Sequence, residues 1–168
     1  NQRRELGLRA APEERLGHAA APAMSLVENT LMTLHSKDVI DKWGIINFKN
    51  ISTKTSRIVS EFDVRTPTLD NTAASLSGGN LQKFVIGREI LEKPKVFVVN
   101  QPTWGVDAAA AAFIRQSILN LASQQSAVIV ISQDLDELFE ICDTFAVLTN
   151  GYMSRTHELG HLSSEDVG

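Results

Sequence analysis

A single cysteine, Cys142, stands among the 168 residues, so the chain can form no internal disulfide and nothing in it asks for an oxidising compartment. Aromatic residues make up only 6% against 43% hydrophobic residues, so any core must be built chiefly from aliphatic side chains. No apolar run approaches the ~20 residues needed to span a bilayer, and no charged-then-apolar leader opens the chain. A basic excess is also missing. Sixteen Lys and Arg face twenty Asp and Glu, for a formal net charge of -4, which argues against a dedicated nucleic-acid partner. Five prolines and ten glycines are ordinary usage, so a largely disordered chain is excluded as well. Nor is there an initiating methionine: Asn1 runs straight into Gln2-Arg3-Arg4-Glu5, a solvated charged stretch that reads as the start of a piece of a longer protein.

What is present divides the chain near residue 70, into a helical segment 1–70 and an α/β segment 71–168. Residues 1–23, interrupted by Pro12 and Pro22, read as a loop-dominated connection. Ser25 with Glu28 three residues on is a capping box opening a helix that carries Leu26, Val27, Leu31 and Leu34. A second amphipathic helix runs from about Ile51 to Phe62, with Thr66-Pro67-Thr68 as its stop. Ser77-Gly78-Gly79 is a glycine turn before a helix bearing Leu81, Phe84, Val85, Arg88 and Leu91. Three apolar runs, 95–99, 127–131 and 145–148, then alternate with helices over Asp107–Ala122 and Asp134–Ile141. Strand, helix, strand, helix, strand predicts a parallel sheet covered by helices. Asn150-Gly151 predicts a tight turn. Cys142 falls on the apolar side of a short helix, as a small core residue would.

Leu76-Ser77-Gly78-Gly79-Asn80-Leu81-Gln82-Lys83 is the most informative stretch. Two glycines let a ligand approach the backbone closely, and the helix that follows turns its N-terminal amides and dipole to the same place, which is the chemistry of an anion site. The same residues would also serve as an ordinary glycine turn with Ser77 as helix cap. Their order relative to three other motifs favours the first reading. LSGGNLQK, then VFVVNQPTWGVD, then ISQDLDEL resemble the signature motif, the Walker B strand with its D-loop, and the switch loop of the ATP-binding domain of ABC transporters. Pro12-Glu13-Glu14-Arg15 resembles the Q-loop of the subgroup importing simple sugars and nucleosides, and the tail SSEDVG is similar to its C-terminal end.

The resemblance implies a P-loop NTPase-type fold with a helical subdomain that abuts membrane permease subunits. It also implies ATP and Mg²⁺ as cofactors, a partner ATP-binding domain, and a peripheral place on the cytoplasmic face of the cell membrane. Ser77, Gly78, Gly79 and Asn80 would contact the γ-phosphate of an ATP held mainly by the partner domain, while Glu13 and Asp107 would couple nucleotide, partner and permease.

The sequence departs from that pattern three times. No G-x-x-x-x-G-K-[ST] occurs, so the loop that cradles the phosphates of ATP is absent and the chain alone is expected to be inactive as an ATPase. Asn100 stands at the Mg²⁺ position and Gln101 at the catalytic-base position, where the family has Asp and Glu. A neutral amide is a poorer partner for a hard cation, and Gln101 can orient water without deprotonating it. Gln133 replaces the switch histidine, a change that some members of the subgroup share. A degenerate site on this domain's own strands therefore stands beside an intact signature motif.

His157-Glu158-Leu159-Gly160-His161 offers a rival, since H-E-x-x-H on a helix binds zinc in metallopeptidases. No apolar helical run precedes it, Gly160 weakens a short helix, and no further histidine follows. A plain interaction domain without nucleotide is the other alternative. His18 and His35 are isolated and expected to be locally bonded or solvated.

Overall fold

In the computed structural model, residues 2–34, 39 and 45–159 are described. The centre of the molecule is a parallel sheet of three strands, β1 (Leu8–Ala11), β2 (Val96–Asn100) and β3 (Ala127–Ile131), in that order. The register aligns Arg9 with Phe97 and Val128, and Ala11 with Val99 and Val130. Those residues share one face, as the two-residue period requires. Phe97 and Val99 are fully buried there, in one core with Phe84, Ile114 and Ile118. The opposite face is open: Ile129 is 53% and Ile131 50% exposed.

Helices α1 (Gln2–Glu5), α2 (Leu26–Thr33), α3 (Phe48–Glu61), α4 (Gly78–Ile90), α5 (Ala108–Ser123) and α6 (Leu135–Ile141) complete the described architecture, with short strands β4 (Thr144–Phe145), β5 (Leu148–Thr149), β6 (Tyr152–Met153) and β7 (His157–Glu158). The capping box forms as expected. Glu28 N–H donates to Ser25 Oγ at 3.2 Å, and Ser25 N–H to Glu28 Oε2 at 2.8 Å. In α3 the buried residues Ile51, Thr55 and Ile58 recur at one-turn spacing. The helix ends at Glu61, before Pro67, so Pro67 is not what stops it.

Helix α4 is the axle of the fold. Every residue from Leu81 to Glu89 is buried, on all sides of the helix. Its Gly87 has no room for a side chain, because a Cβ there would lie 2.5 Å from the Phe62 ring. Two buried polar side chains hold neighbours to it. Arg88 donates to Asn29 O at 3.0 Å and Ala19 O at 2.8 Å, and Asn29 in turn donates to Met24 O and Ser25 O.

Four expectations are corrected and one is extended. Residues 1–23 are loop-dominated as expected, though they also supply α1 and the sheet strand β1. The segment Leu8-Arg9-Ala10-Ala11 has little β-propensity, and it is a strand because parallel pairing with β2 supplies its partners. Residues 145–148 are not a strand of the parallel sheet. They split between β4, antiparallel to β7, and β5, antiparallel to β6. The apolar run 127–131 is not a fully buried strand, because β3 is an edge with one uncovered face. Cys142 is half-buried at the end of α6 rather than in the core, and burial pushes its thiol pKa up. Arg4 likewise is not merely solvated: it donates to Thr33 O at 3.1 Å and lies 3.7 Å from buried Glu89. Asn150 and Gly151, both at positive φ, close the β5–β6 hairpin as expected.

Candidate functional site

The candidate residues gather where parallel strands end and helices begin, the side of an α/β sheet on which ligands bind. A cleft of about 920 Å³ is lined there by Glu13, Arg15, Gly78, Asn100 and Trp104, among others. Three segments far apart in sequence thus meet: the loop after β1, the start of α4, and the end of β2 with the loop that runs from it into α5.

The first wall is the N-terminus of α4. Ser77 is its cap, so Gly78 and Gly79 open the helix itself rather than a preceding turn. Ser77 Oγ accepts from Asn80 N at 3.4 Å and Asn80 Nδ2 at 2.9 Å, which leaves the hydroxyl proton to donate outward. Asn80 Oδ1 accepts from Arg65 N at 2.8 Å, so both ends of the Asn80 amide are engaged in bracing the motif. Space is narrow at both glycines. A Cβ on Gly78 would stand 3.2 Å from an Arg15 guanidinium nitrogen, and one on Gly79 would stand 3.3 Å from Ala110 Cβ and Asp107 Oδ2. Asp107 caps α5 beside Gly79: its Oδ1 accepts from Ala110 N at 2.9 Å, and that bond holds the exposed carboxyl below its usual pKa.

The second wall is the end of β2, where Asn100 lines the cleft; Gln101 and Gln133 follow the ends of β2 and β3 and are not among its lining residues. Asn100, partly buried, closes β2 opposite Ile131 of β3. Gln101 is 7% exposed and takes φ of +50°, a left-handed conformation costly for a side chain with a Cβ. Its N–H donates to Ile131 O at 2.7 Å, and its Oε1 accepts from Ser132 Oγ at 3.5 Å. Strain of this kind concentrates at functional sites. Gln133 follows Ser132 and is exposed, with α6 starting just beyond it under an Asp134 cap. Glu13 is exposed on the cleft rim, well away in sequence but on the same opening.

ATP and Mg²⁺ can be tested against this arrangement separately. The α4 amides, two tight glycines and the Ser77 hydroxyl suit an oxyanion such as a phosphate. The strand ends do not suit Mg²⁺. Asn100 and Gln101 bring no carboxylate, and the described residues contain no group of three His, Cys, Asp or Glu able to hold a metal.

Three contributors escaped sequence reasoning. Arg15 donates from Nε to Gln82 Oε1 at 2.9 Å and from its fork to Trp104 O. Gln82, almost wholly buried, donates to Pro102 O at 2.8 Å. Thr103 donates to buried Glu137 of α6 at 2.7 Å. All of these are contacts between distant segments, and no local pattern marks them. Trp104, 65% exposed beside the cleft, has no explanation in the structure.

The rival zinc motif has no helix under its first half. His157 and Glu158 lie in β7, where the His157 ring stacks 5.7 Å from Phe145, while Gly160 and His161 are outside the described residues. His18 is locally bonded as expected, 2.8 Å from Glu14, and His35 is outside the described residues. No helix among the described residues is long and apolar enough to cross a membrane.

No protein-family model matches the chain. Among curated proteins it is 34% identical over 161 residues to the galactose/methyl galactoside import ATP-binding protein MglA of Mannheimia succiniciproducens, covering 96% of this chain and 32% of that protein. It is 35% identical over 140 residues to the nucleoside import ATP-binding protein NupA of Lactococcus lactis, covering 83% of this chain and 28% of that one. The chain thus spans about a third of the length of the curated relatives it matches. Among solved structures, an ATP-binding cassette dimer in a post-hydrolysis state with ADP and Pi matches with a TM-score of 0.71 at 15% identity, over 94% of this chain and 66% of that one. The dimeric cassette of a bacterial ABC transporter matches with a TM-score of 0.68 at 16% identity, over 91% of this chain and 62% of that one.

Proposed function

Since this chain is related over most of its length to the ATP-binding proteins of sugar and nucleoside importers and has the ABC ATPase fold, we propose that it is part of a nucleotide-binding domain that powers uptake of a simple sugar or nucleoside. The domain works at the cytoplasmic face of the membrane, against permease subunits and a second ATP-binding domain. Ser77, Gly78 and Gly79, braced by Asn80, hold the terminal phosphate of an ATP whose remaining contacts come from the partner domain. Residues 1–70 form the coupling segment, with Glu13 at its hinge, and residues 71–168 carry the signature helix and strand ends. Asp107 sits at the crossing between the two domains.

The observation that carries this reading is the N-terminus of α4. It is capped by Ser77, bare of side chains at Gly78 and Gly79, and open to a cleft that also holds Glu13 and Asn100. ATP supplies the phosphoanhydride whose cleavage drives transport. This chain's own groups bind and orient its terminal phosphate through backbone amides and one hydroxyl.

The strand ends support asymmetry. Asn100 offers no charge to Mg²⁺, and Gln101 and Gln133 orient water without accepting its proton. The site built on these strands turns over slowly or not at all, while the signature motif completes the partner's site. Counting nucleotides occluded and hydrolysed per cycle by the assembled transporter tests this. One productive site is expected, and two equal sites would overturn the asymmetry. The 168-residue chain alone, which has no G-x-x-x-x-G-K-[ST], is expected to show no ATP binding by calorimetry. ATPase activity of this chain that Gly78→Asp abolishes would contradict that expectation.

A further inference from the structure

We propose that Arg15 is a positioning residue that clamps the loop carrying Glu13 to the start of the signature helix and to the loop leading into Asp107. The inference rests on the import reading above and adds to it the means by which those segments keep register. One guanidinium reaches two segments at once: Nε donates to Gln82 Oε1 on α4, and the fork donates to Trp104 O before α5. Gln82 continues the connection from its other end, donating to Pro102 O, so residues 102–104 are held from α4 and from Arg15 together. Thr103, between those two carbonyls, donates to Glu137 and carries the same polar chain into α6, just after Gln133. Four segments that carry or flank candidate residues are thus joined by these hydrogen bonds.

The chemistry of arginine suits this task. Its planar fork presents several donors in fixed directions, whereas lysine has one compact ammonium that cannot reach both acceptors in the same geometry. Gln82 is buried, so the donor that its Oε1 loses on removing Arg15 is not replaced by bulk water. Burial also lowers the Arg15 pKa, a mark of a guanidinium drawn into the protein rather than left in solvent. Its closeness to Gly78 sets a second consequence: the same side chain limits the approach to the α4 amides.

The test uses the full-length ATP-binding protein with its permease, as wild type, Arg15→Gln and Arg15→Lys. Hydrogen exchange is followed in the peptide covering residues 101–107, with residues 127–131 as an internal control for global opening. Basal ATPase and ATPase stimulated by the transported solute are measured on the same samples. In Arg15→Gln, exchange over 101–107 is expected to rise about tenfold, the weight of a charge-assisted hydrogen bond, with the control peptide unchanged. The stimulated rate falls about tenfold and by more than the basal rate, and Arg15→Lys gives intermediate values.

Unchanged exchange over 101–107 in Arg15→Gln overturns the clamp. So does an equal rise in both peptides, which would mark a merely structural role, or an equal fall in basal and stimulated rates. A wild-type complex that no sugar or nucleoside stimulates rejects the import reading instead, and the exchange data then decide the clamp by themselves.

Discussion

The two walls of the cleft are made of different material. At the start of α4 the working groups are backbone amides, a hydroxyl and the absence of side chains at Gly78 and Gly79. At the end of β2 it is a side chain, the amide of Asn100, with two more amides, Gln101 and Gln133, just beyond the ends of β2 and β3. A backbone site keeps its chemistry as long as the helix starts in the same place. A side-chain site keeps its shape but loses its charge when a carboxylate becomes an amide. Gln101 illustrates this, because it still occupies a buried left-handed position pinned to Ile131 O. That position is held by an amide side chain, which brings no acid–base group.

The largest expected effect comes from breaking the backbone wall. Gly78→Asp places a carboxylate where the phosphate is proposed to lie, beside Arg15, and should lower ATP turnover by the assembled transporter by about a hundredfold or more. A loss smaller than that from Gln101→Ala would reverse the ranking of the two walls. Next comes restoration of the other wall. The pair Asn100→Asp and Gln101→Glu returns the missing charge and base, and should raise turnover at that site by about tenfold to a hundredfold in single-turnover assays. No gain would mean that more than these two groups separates the walls.

A third change asks how far the backbone wall depends on rigid placement of its helix. Gly87→Ala would drive a methyl into the Phe62 ring and should cost about 2 kcal/mol in chemical denaturation. Loss of phosphate contact in proportion to stability would show that the helix, rather than its first turn alone, makes the site.

The smallest effect concerns Asp107, which joins α4 to α5. Its folded pKa is depressed by the Ala110 amide. Its stabilising contribution is therefore present above the unfolded value of ~3.9, and is lost as pH falls through the lower folded value. Asp107→Asn keeps a capping oxygen but not the titration. Thermal melts of this variant should lose part of the pH dependence seen in wild type below about pH 4, and little above it.

Most of the helical architecture was legible because its signals are local. Ser25 with Glu28, Ser77 before two glycines, Asp107 and Asp134 each mark a helix start through bonds to amides two or three residues away. The strand β1 was not legible. Leu8-Arg9-Ala10-Ala11 is a strand only because Val96–Val99 lie beside it, some ninety residues later. The run 145–148 misled for the related reason that apolar character does not say which sheet, if any, a segment joins. At the site, motif spacing brought Ser77 to Asn80, Asn100, Gln101, Gln133, Glu13 and Asp107 into view. The bonds that Arg15, Gln82 and Thr103 make to distant partners stayed hidden, because such a contact is defined by the partner and not by neighbours in sequence.

By itself, then, the sequence determined where helices begin, which residues open a helix start suited to an oxyanion, and where amides stand at the strand ends. Each of these depends on side-chain identity or on contacts within a turn. Only the tertiary structure decided that β1 completes the sheet, that one sheet face stays open at Ile129 and Ile131, and that a single arginine spans the cleft from the Glu13 loop to Gln82 and Trp104. Those outcomes depend on pairing between distant segments, where closing the chain on itself creates contacts that no local pattern encodes.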